Sequence, residues 1–389
     1  MKILYYEWKE NSRDDMIATL QLLGHQVIRC HIPCGDYEYD DAFMERLERA
    51  IEQYQCEMVF SFNYFPVIAK VAQRLCVDYL SWIYDSPHWT LFSPTAASPY
   101  NYIYTFDYEQ YLMLQGRNVP HVYHLPLAVN TRRLKEQLGL PKDDISYRAQ
   151  VSFVGSLYEN NPYDRIVYLP EDIKGYLDGI MDVQKLVFGA DILGNSLVGK
   201  MTEKLDVFIE LGMDETYGIS NSEVYADMLR SKLTSTERIE YLRAISKVHE
   251  LSLYTGSDMS LVPEANQCGT VSYEKEMPEV FLTSKINLNI TLRSIASGIP
   301  LRALDVMGAG GFLISNYQPE LATFFVAGEE MVMYSAKDEL LEQVAYYLEH
   351  DKKRREIAHC GWEKVQREFS YEHQVRRMFE IWENERNAG

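Results

Sequence analysis

Short apolar runs alternate with stretches of helical spacing from one end of the chain to the other, and this alternation constrains the fold more than any other feature. KILYY (2–6) reads as a strand, 11–23 carry helical spacing, and a turn glycine opens a second strand in GHQVIRCHI (24–32). Helix DAFMERLERAIEQY (41–54) leads to strand EMVFSF (57–62), and a helix around 65–75 leads to DYLSWIYD (78–85). YNYIYTFD (100–107), a helix at 108–116 and HVYHLPLA (121–128) complete this series. A second series starts at QVSFVGSL (150–157) and resumes with HELSLYTG (249–256), KINLNIT (285–291), GFLISN (311–316) and MVMYS (331–335). Helices at 337–349, 351–368 and 371–386 close the chain. Strands separated by helices of roughly ten residues build βαβ units and a parallel sheet, and right-handed crossovers wind helices onto both of its faces. The expected class is α/β, with two doubly wound domains over 1–130 and 148–370. Residues 160–248 carry several helical segments and no convincing strand. They read as a helical insertion in the first crossover of the second domain, where a short connection is usual. Such halves take ligands at the C-terminal ends of their strands, in the cleft where they face each other.

The balance of 47% hydrophobic and 24% charged residues suits a globular chain with a large core. No apolar run approaches the roughly 18 residues of a membrane span, and the polar turn of MKILYYEWKENSRDD is unlike a secretory leader. The six cysteines are scattered, with no C-x-x-C pair. That argues against a disulfide framework or a zinc site, and for a reduced, cytoplasmic setting. His31, His121 and His124 have no acidic or cysteine neighbours at ligand spacing, so no metal is expected. A formal charge of −19 repels nucleic acid and anionic lipid. A negatively charged ligand would need a few local cations and backbone amides. The 29 tyrosines suit sugar surfaces and protein packing equally.

LRALDVMGAGG (301–311) is the most informative stretch: an apolar helix interrupted by Arg302 and Asp305 and finished by Gly308, Gly310 and Gly311. One reading is an ordinary i, i+3 salt bridge with a glycine C-cap. It is not a dinucleotide fingerprint, whose glycines open a helix directly after a strand. The other reading starts from SGIP (297–300), whose amides, with Ser297 and Gly298, precede a helix N-terminus suited to a diphosphate. Pro300 fits a first helical turn, where no N–H is needed. Arg302 then reaches the phosphates and Asp305 accepts from a ribose diol, the two facing a nucleotide and not each other. The glycines let helix and sheet pack closely, and Arg293, in the loop after NLNIT, is a second phosphate cation.

KINLNITLRSIASGIPLRALDVMGAGGFLISNYQPEL, followed by DELLEQVAYYLEHDKKRREIAHCGWEKV, resembles the C-terminal half of the group-1-like glycosyltransferases of the spore-maturation type. WIYDSPHW, YIYTFD and HLPLAVNT resemble the N-terminal domain often fused to it in Firmicutes, and VSFVGSLYENNPYDR is the usual junction. The resemblance spans nearly the whole chain. It implies a GT-B architecture of two Rossmann-like domains, a nucleotide-diphosphate-sugar donor held mainly by the second, no other cofactor, and a last helix (371–386) crossing back onto the first. In the wider group two acidic residues eight positions apart line the donor site. The second matches Asp305, as the ribose ligand, and the first falls at Ser297. That missing carboxylate counts against a retaining mechanism and favours inversion.

Inverting transfer needs a general base and electrostatic help for the leaving diphosphate. Asp85 ends a strand in WIYDSPHW, with His88 in the following loop, and Glu7 directly follows the first strand, beside Trp8. These are the three candidate bases, although Asp85 also suits a turn cap. Gly155, Ser156 and Gly256 lie at strand ends where amides can face the donor, or simply turn the chain. Tyr273, in TVSYEKEMPEVF, falls where the nucleobase commonly lies in this architecture. The leading expectation is a metal-independent glycosyltransferase acting on a glycan, protein or small-molecule acceptor, with homo-oligomerisation open. The alternatives are an inactive nucleotide-sugar or glycan-binding assembly protein and a nucleotide-sugar epimerase. The acidic helices of the insertion read as a solvated face.

Overall fold

The computed structural model describes residues 1–142, 144–211 and 215–388. The chain divides into two compact units. One comprises Met1–Ala128, Met213–Ile219 and Phe369–Gly389, and the other Val129–Gly212 and Ser220–Glu368.

The first unit is built on six parallel strands: β1 (Lys2–Tyr6), β2 (Gln26–Cys30), β3 (Met58–Phe62), β4 (Asp78–Trp82), β5 (Asn101–Thr105) and β6 (Val122–His124). Their order is β2-β1-β3-β4-β5-β6. Every residue of β3 and β5 is buried, because helices cover both faces. The helix Asp41–Tyr54 shows how the pattern drives this: Phe43, Leu47 and Ile51 recur every four residues and are all buried. The C-terminal helix Tyr371–Ala388 also packs here. Trp382 Nε1 donates to Asp78 Oδ2 at 2.9 Å, the Phe379 ring stacks on His25 at 4.6 Å, and Tyr104 donates its hydroxyl proton to Met378 O.

The second unit repeats the plan with β7 (Ala149–Val154), β8 (Leu251–Tyr254), β9 (Asn266–Gly269), β10 (Ser284–Asn289), β11 (Leu313–Asn316) and β12 (Val332–Tyr334). All are parallel, in the order β12-β11-β10-β7-β8-β9. Both sheets reverse direction beside their first strand, between β1 and β3 in one and between β7 and β10 in the other. The C-terminal ends of those pairs are the natural ligand crevices. Strand β9, NQCG, has no counterpart in the sequence reading: it is an edge strand whose residues are largely exposed, so no apolar alternation marks it.

Between β7 and β8 the insertion is helical among the described residues, as expected, and carries its own apolar core. Ile173, Leu177, Leu193 and Leu205 pack against Tyr225, Leu229 and Leu233. These last three lie on the long helix Asn221–Ser246, which starts at a capping box in which the Ser220 side chain and Glu223 satisfy each other's backbone amides. On that helix burial lifts the Asp227 carboxyl from 3.8 to about 6, against the pull of Arg230. The folded state therefore holds a proton that the unfolded chain has released, and stability falls as pH rises through that window. Asp227→Asn is expected to stabilise the protein by about 2 kcal/mol at pH 7 and by nothing at pH 3.5. Thermal melts at the two pH values check this.

Candidate functional site

The crevice of the second sheet is assembled from four elements. After β7, Gly155 N donates to Tyr254 O at 3.0 Å, and the Leu157 amide donates to Ser257 Oγ at 2.8 Å. Ser156 Oγ lies 3.3 Å from Ser257 Oγ and accepts from Tyr158 N. The turns holding Gly155, Ser156 and Gly256 are thus stitched together at the C-terminal ends of β7 and β8.

Arg238, from the middle of the helix Asn221–Ser246, fills the reversal point. Its Nη1 donates to Ser156 O at 2.6 Å, and its Nε and Nη2 donate to Ile290 O at 3.0 and 2.5 Å, bridging the loops after β7 and β10. Its guanidinium lies over the Tyr158 ring at 5.1 Å. It is buried, and among the described residues it has no carboxylate within ion-pair distance. Burial draws its pKa down to about 10; the like charge of Arg302 adds to that pull, and Tyr158, Tyr334 and the Glu237 carboxylate oppose it. A buried cation satisfied only by carbonyls, with a second guanidinium near it, is an arrangement that an incoming anion relieves.

The helix Leu301–Gly308 supplies that second guanidinium. Pro300 is its N-cap, with ψ 137°, and not a first-turn residue as the sequence suggested. Ahead of it, 297–300 are buried and tied to the helix Pro319–Phe324. Glu320 N donates to Ser297 O at 3.1 Å, and Gln318 Nε2 reaches Gly298 O at 3.4 Å. Two residues past the end of the helix stands Gly310, whose φ of +77° favours glycine. At Gly311 an added Cβ would lie 2.7 Å from Phe281 O, so close helix–sheet packing does depend on bare backbone there.

Arg302 and Asp305, expected to face a nucleotide and not each other, do meet each other. Arg302 Nη1 lies 3.2 Å from Asp305 Oδ2, the i, i+3 pair that the spacing permits. Asp305 Oδ1 accepts from the Tyr273 hydroxyl at 2.9 Å, so Tyr273 and Asp305 are brought together. Arg293 is corrected as a phosphate cation. It makes a two-point ion pair with Glu237, at 2.8 and 2.5 Å, donates to Val187 O, and lies over the Phe188 ring at 3.9 Å. Its side chain is 9% exposed and that of Glu237 is 2% exposed, so it clamps the insertion onto the loop after β10.

Ser297 itself has a buried acidic partner. Ser297 Oγ donates to Glu320 Oε1 at 2.8 Å, and Glu320 is buried. A carboxylate therefore stands one hydrogen bond behind Ser297. It comes from 23 residues away along the chain, a separation no spacing motif covers.

In the first unit, Asn63 organises the ends of β3 and β4 from a left-handed φ of 60°. Its Oδ1 accepts from Tyr84 N at 2.9 Å and its Nδ2 donates to Asp85 Oδ2 at 2.7 Å. Asp85 is exposed. His88 is corrected as a base: its Nε2 accepts from Tyr64 N at 3.1 Å and lies 2.7 Å from Thr90 Oγ1, and burial lowers its pKa, leaving a neutral structural imidazole. Glu7 is corrected too, because its buried carboxylate is paired with Arg29 and lies 3.9 Å from Arg13. Beside it, Trp8 Nε1 donates to Phe62 O and the ring packs on Phe65. Glu10, which sequence reasoning passed over, is a buried acid whose pKa burial raises, and its two oxygens accept from Tyr5 and Trp8 N. Among the described residues no group of three or more His, Cys, Asp or Glu is placed to hold a metal ion, and no helix is long and apolar enough to cross a membrane.

Residues 242–380, which hold β8 to β12 and the helix of Arg302 and Asp305, match the model of a glycosyl transferase-like family. Sucrose-phosphate synthase from Thermosynechococcus elongatus matches over 100% of both chains, with a TM-score of 0.58 at 12% identity. HepE of Anabaena, solved in complex with UDP and glucose, matches over 98% of this chain and 99% of its own, with a TM-score of 0.54 at 9% identity. A glycosyltransferase from Rickettsia africae matches over 98% of each chain, with a TM-score of 0.51 at 10% identity. A search of curated protein sequences found no match. The likeness to these structures is one of fold. Two six-stranded parallel sheets with flanking helices make the GT-B architecture.

Proposed function

We propose that this chain is a glycosyltransferase that moves a sugar from a nucleotide-diphosphate donor to an acceptor hydroxyl or amide. The observation that carries the reading is Arg238 at the reversal point of the second sheet, buried and bonded to two backbone carbonyls, with no carboxylate in ion-pair contact among the described residues. A diphosphate supplies the missing negative charge, and the guanidiniums of Arg238 and Arg302 stabilise it as it leaves, the role a metal ion plays in other transferases. The glycosyl transferase-like match over 242–380 supports the activity. UDP is the first nucleotide to try, since HepE binds it. Asp305, already accepting from Tyr273 and Arg302, keeps lone pairs for a ribose hydroxyl.

Of the three expected bases, Asp85 alone combines exposure with a carboxylate oriented by one neutral donor, Asn63. It is the proposed general base of an inverting, metal-independent reaction. The spore-maturation type of the wider group and a cytoplasmic setting belong to the same proposal. The experiment is calorimetry with UDP, GDP, dTDP and CDP, followed by donor turnover, on wild type and Asp85→Asn. One preferred nucleotide, with turnover reduced at least 100-fold in the variant at unchanged nucleotide affinity, is the expected result. Tight nucleotide binding without turnover in wild type identifies a binding protein instead. No nucleotide binding removes the donor site.

A further inference from the structure

At the opposite end of the second sheet lies a cavity of about 560 Å³, against the N-terminal ends of β10 and β11 and one face of the helix Asp351–Glu368. It is separate from the crevice of Arg238, and the inference stands without the glycosyltransferase reading. Four cations line it, Lys142, Lys285, Arg354 and Arg355, with Glu356 as the acid among the described lining residues. In a chain of charge −19 this is a strong local reversal of sign. Asp351 meets both arginines, at 2.5 and 3.0 Å, and leaves the lysines unpaired by it.

Two donors in the lining have no partner. Arg354 is 1% exposed; its Nη1 and Nη2 donate to Tyr347 O and Asp351, but its Nε donates to nothing. Trp362 Nε1 is likewise buried and unsatisfied. Neither nitrogen has surface open to the cavity, so both lie behind its wall, and the positive charge offered to a ligand is that of Lys142, Lys285 and Arg355. Apart from Ser284 and His359 the remaining walls are apolar or aromatic, with the Tyr147 ring stacked under the Arg354 guanidinium at 5.1 Å. The volume falls in the range of small-molecule sites.

We propose that this cavity binds a small aromatic anion: a flat ring that lies between the apolar walls and carries a phosphate, sulfonate or carboxylate group held by Lys285 and Arg355. The helix that lines the cavity also backs the helix Leu301–Gly308, since a Cβ at Gly361 would lie 3.3 Å from Met307 Sδ.

The test is fluorescence titration of the full chain with 8-anilinonaphthalene-1-sulfonate, and with its neutral analogue N-phenyl-1-naphthylamine. One equivalent of the sulfonate is expected to bind, at least tenfold more tightly than the neutral ring, and more weakly as salt rises. Lys285→Glu combined with Arg355→Glu is expected to weaken the sulfonate at least tenfold. Ala358→Trp, which fills the cavity without changing charge, is expected to abolish binding, and circular dichroism verifies that each variant is folded. Phenyl phosphate and benzoate, as competitors, distinguish phosphate from carboxylate ligands. Equal affinity for the neutral ring, insensitivity to salt and to Ala358→Trp, or loss of binding in Asp305→Ala would overturn the proposal, the last by placing the probe in the nucleotide crevice.

Discussion

Arg238→Ala is expected to lower kcat/KM for the nucleotide-sugar donor by 100- to 1,000-fold and to weaken UDP binding with it. A guanidinium that meets the diphosphate loses its effect mostly as charge develops on the leaving group, so kcat falls more than KM rises. Arg238→Lys restores part of the binding but not the two-loop bridge, because an ammonium cannot span Ser156 O and Ile290 O with a rigid fork. The alanine variant also leaves two carbonyls unsatisfied, a loss of about 1–3 kcal/mol that a parallel melt measures separately. Unchanged UDP affinity in a folded Arg238→Ala protein would assign the residue to architecture alone.

Glu237→Ala carries the largest expected loss of stability, about 3–5 kcal/mol, because it strands the Arg293 charge in a site where its side chain is 9% exposed. Pairing it with Arg293→Met removes the stranded charge, keeps an apolar stem over Phe188, and is expected to recover most of the loss. Chemical denaturation of the two variants and the double variant measures the coupling. A single variant within about 0.5 kcal/mol of wild type would show that solvent reaches the pair.

The helices 41–54, 108–116, 337–349 and 351–368 have in the structure the same bounds as in the sequence reading. Each carries an apolar stripe or a clear stop, and both are local signals. Strand β9 was missed because an exposed edge has no stripe to show. The insertion, read as a solvated face, instead turns Glu237 and Arg238 towards the second sheet, one to Arg293 and the other to the reversal point. Neighbouring residues on a helix point about 100° apart, and a charged pair in an acidic stretch carries no mark of which way it faces.

The candidate site divides the same way. LRALDVMGAGG announced a helix that packs closely and bears Arg302 and Asp305, and the structure keeps both at one edge of the crevice. Arg293, Glu7 and His88 looked equally available in sequence. Each is occupied by partners 24 to 56 residues or 22 residues away: Tyr64 for His88, Glu237 for Arg293, Arg29 for Glu7. Glu320 arrives beside Ser297 by a comparable route.

The sequence by itself determined the two parallel sheets, the helical insertion and the helix of Arg302 and Asp305. Those follow from hydrophobic period and turn chemistry, which act over a few residues. Only the tertiary structure decided which charges are spent on one another and which remain for a ligand. The cost of burying an ion depends on what stands within about 4 Å of it, and in a doubly wound fold the nearest partner comes from another crossover, tens of residues away.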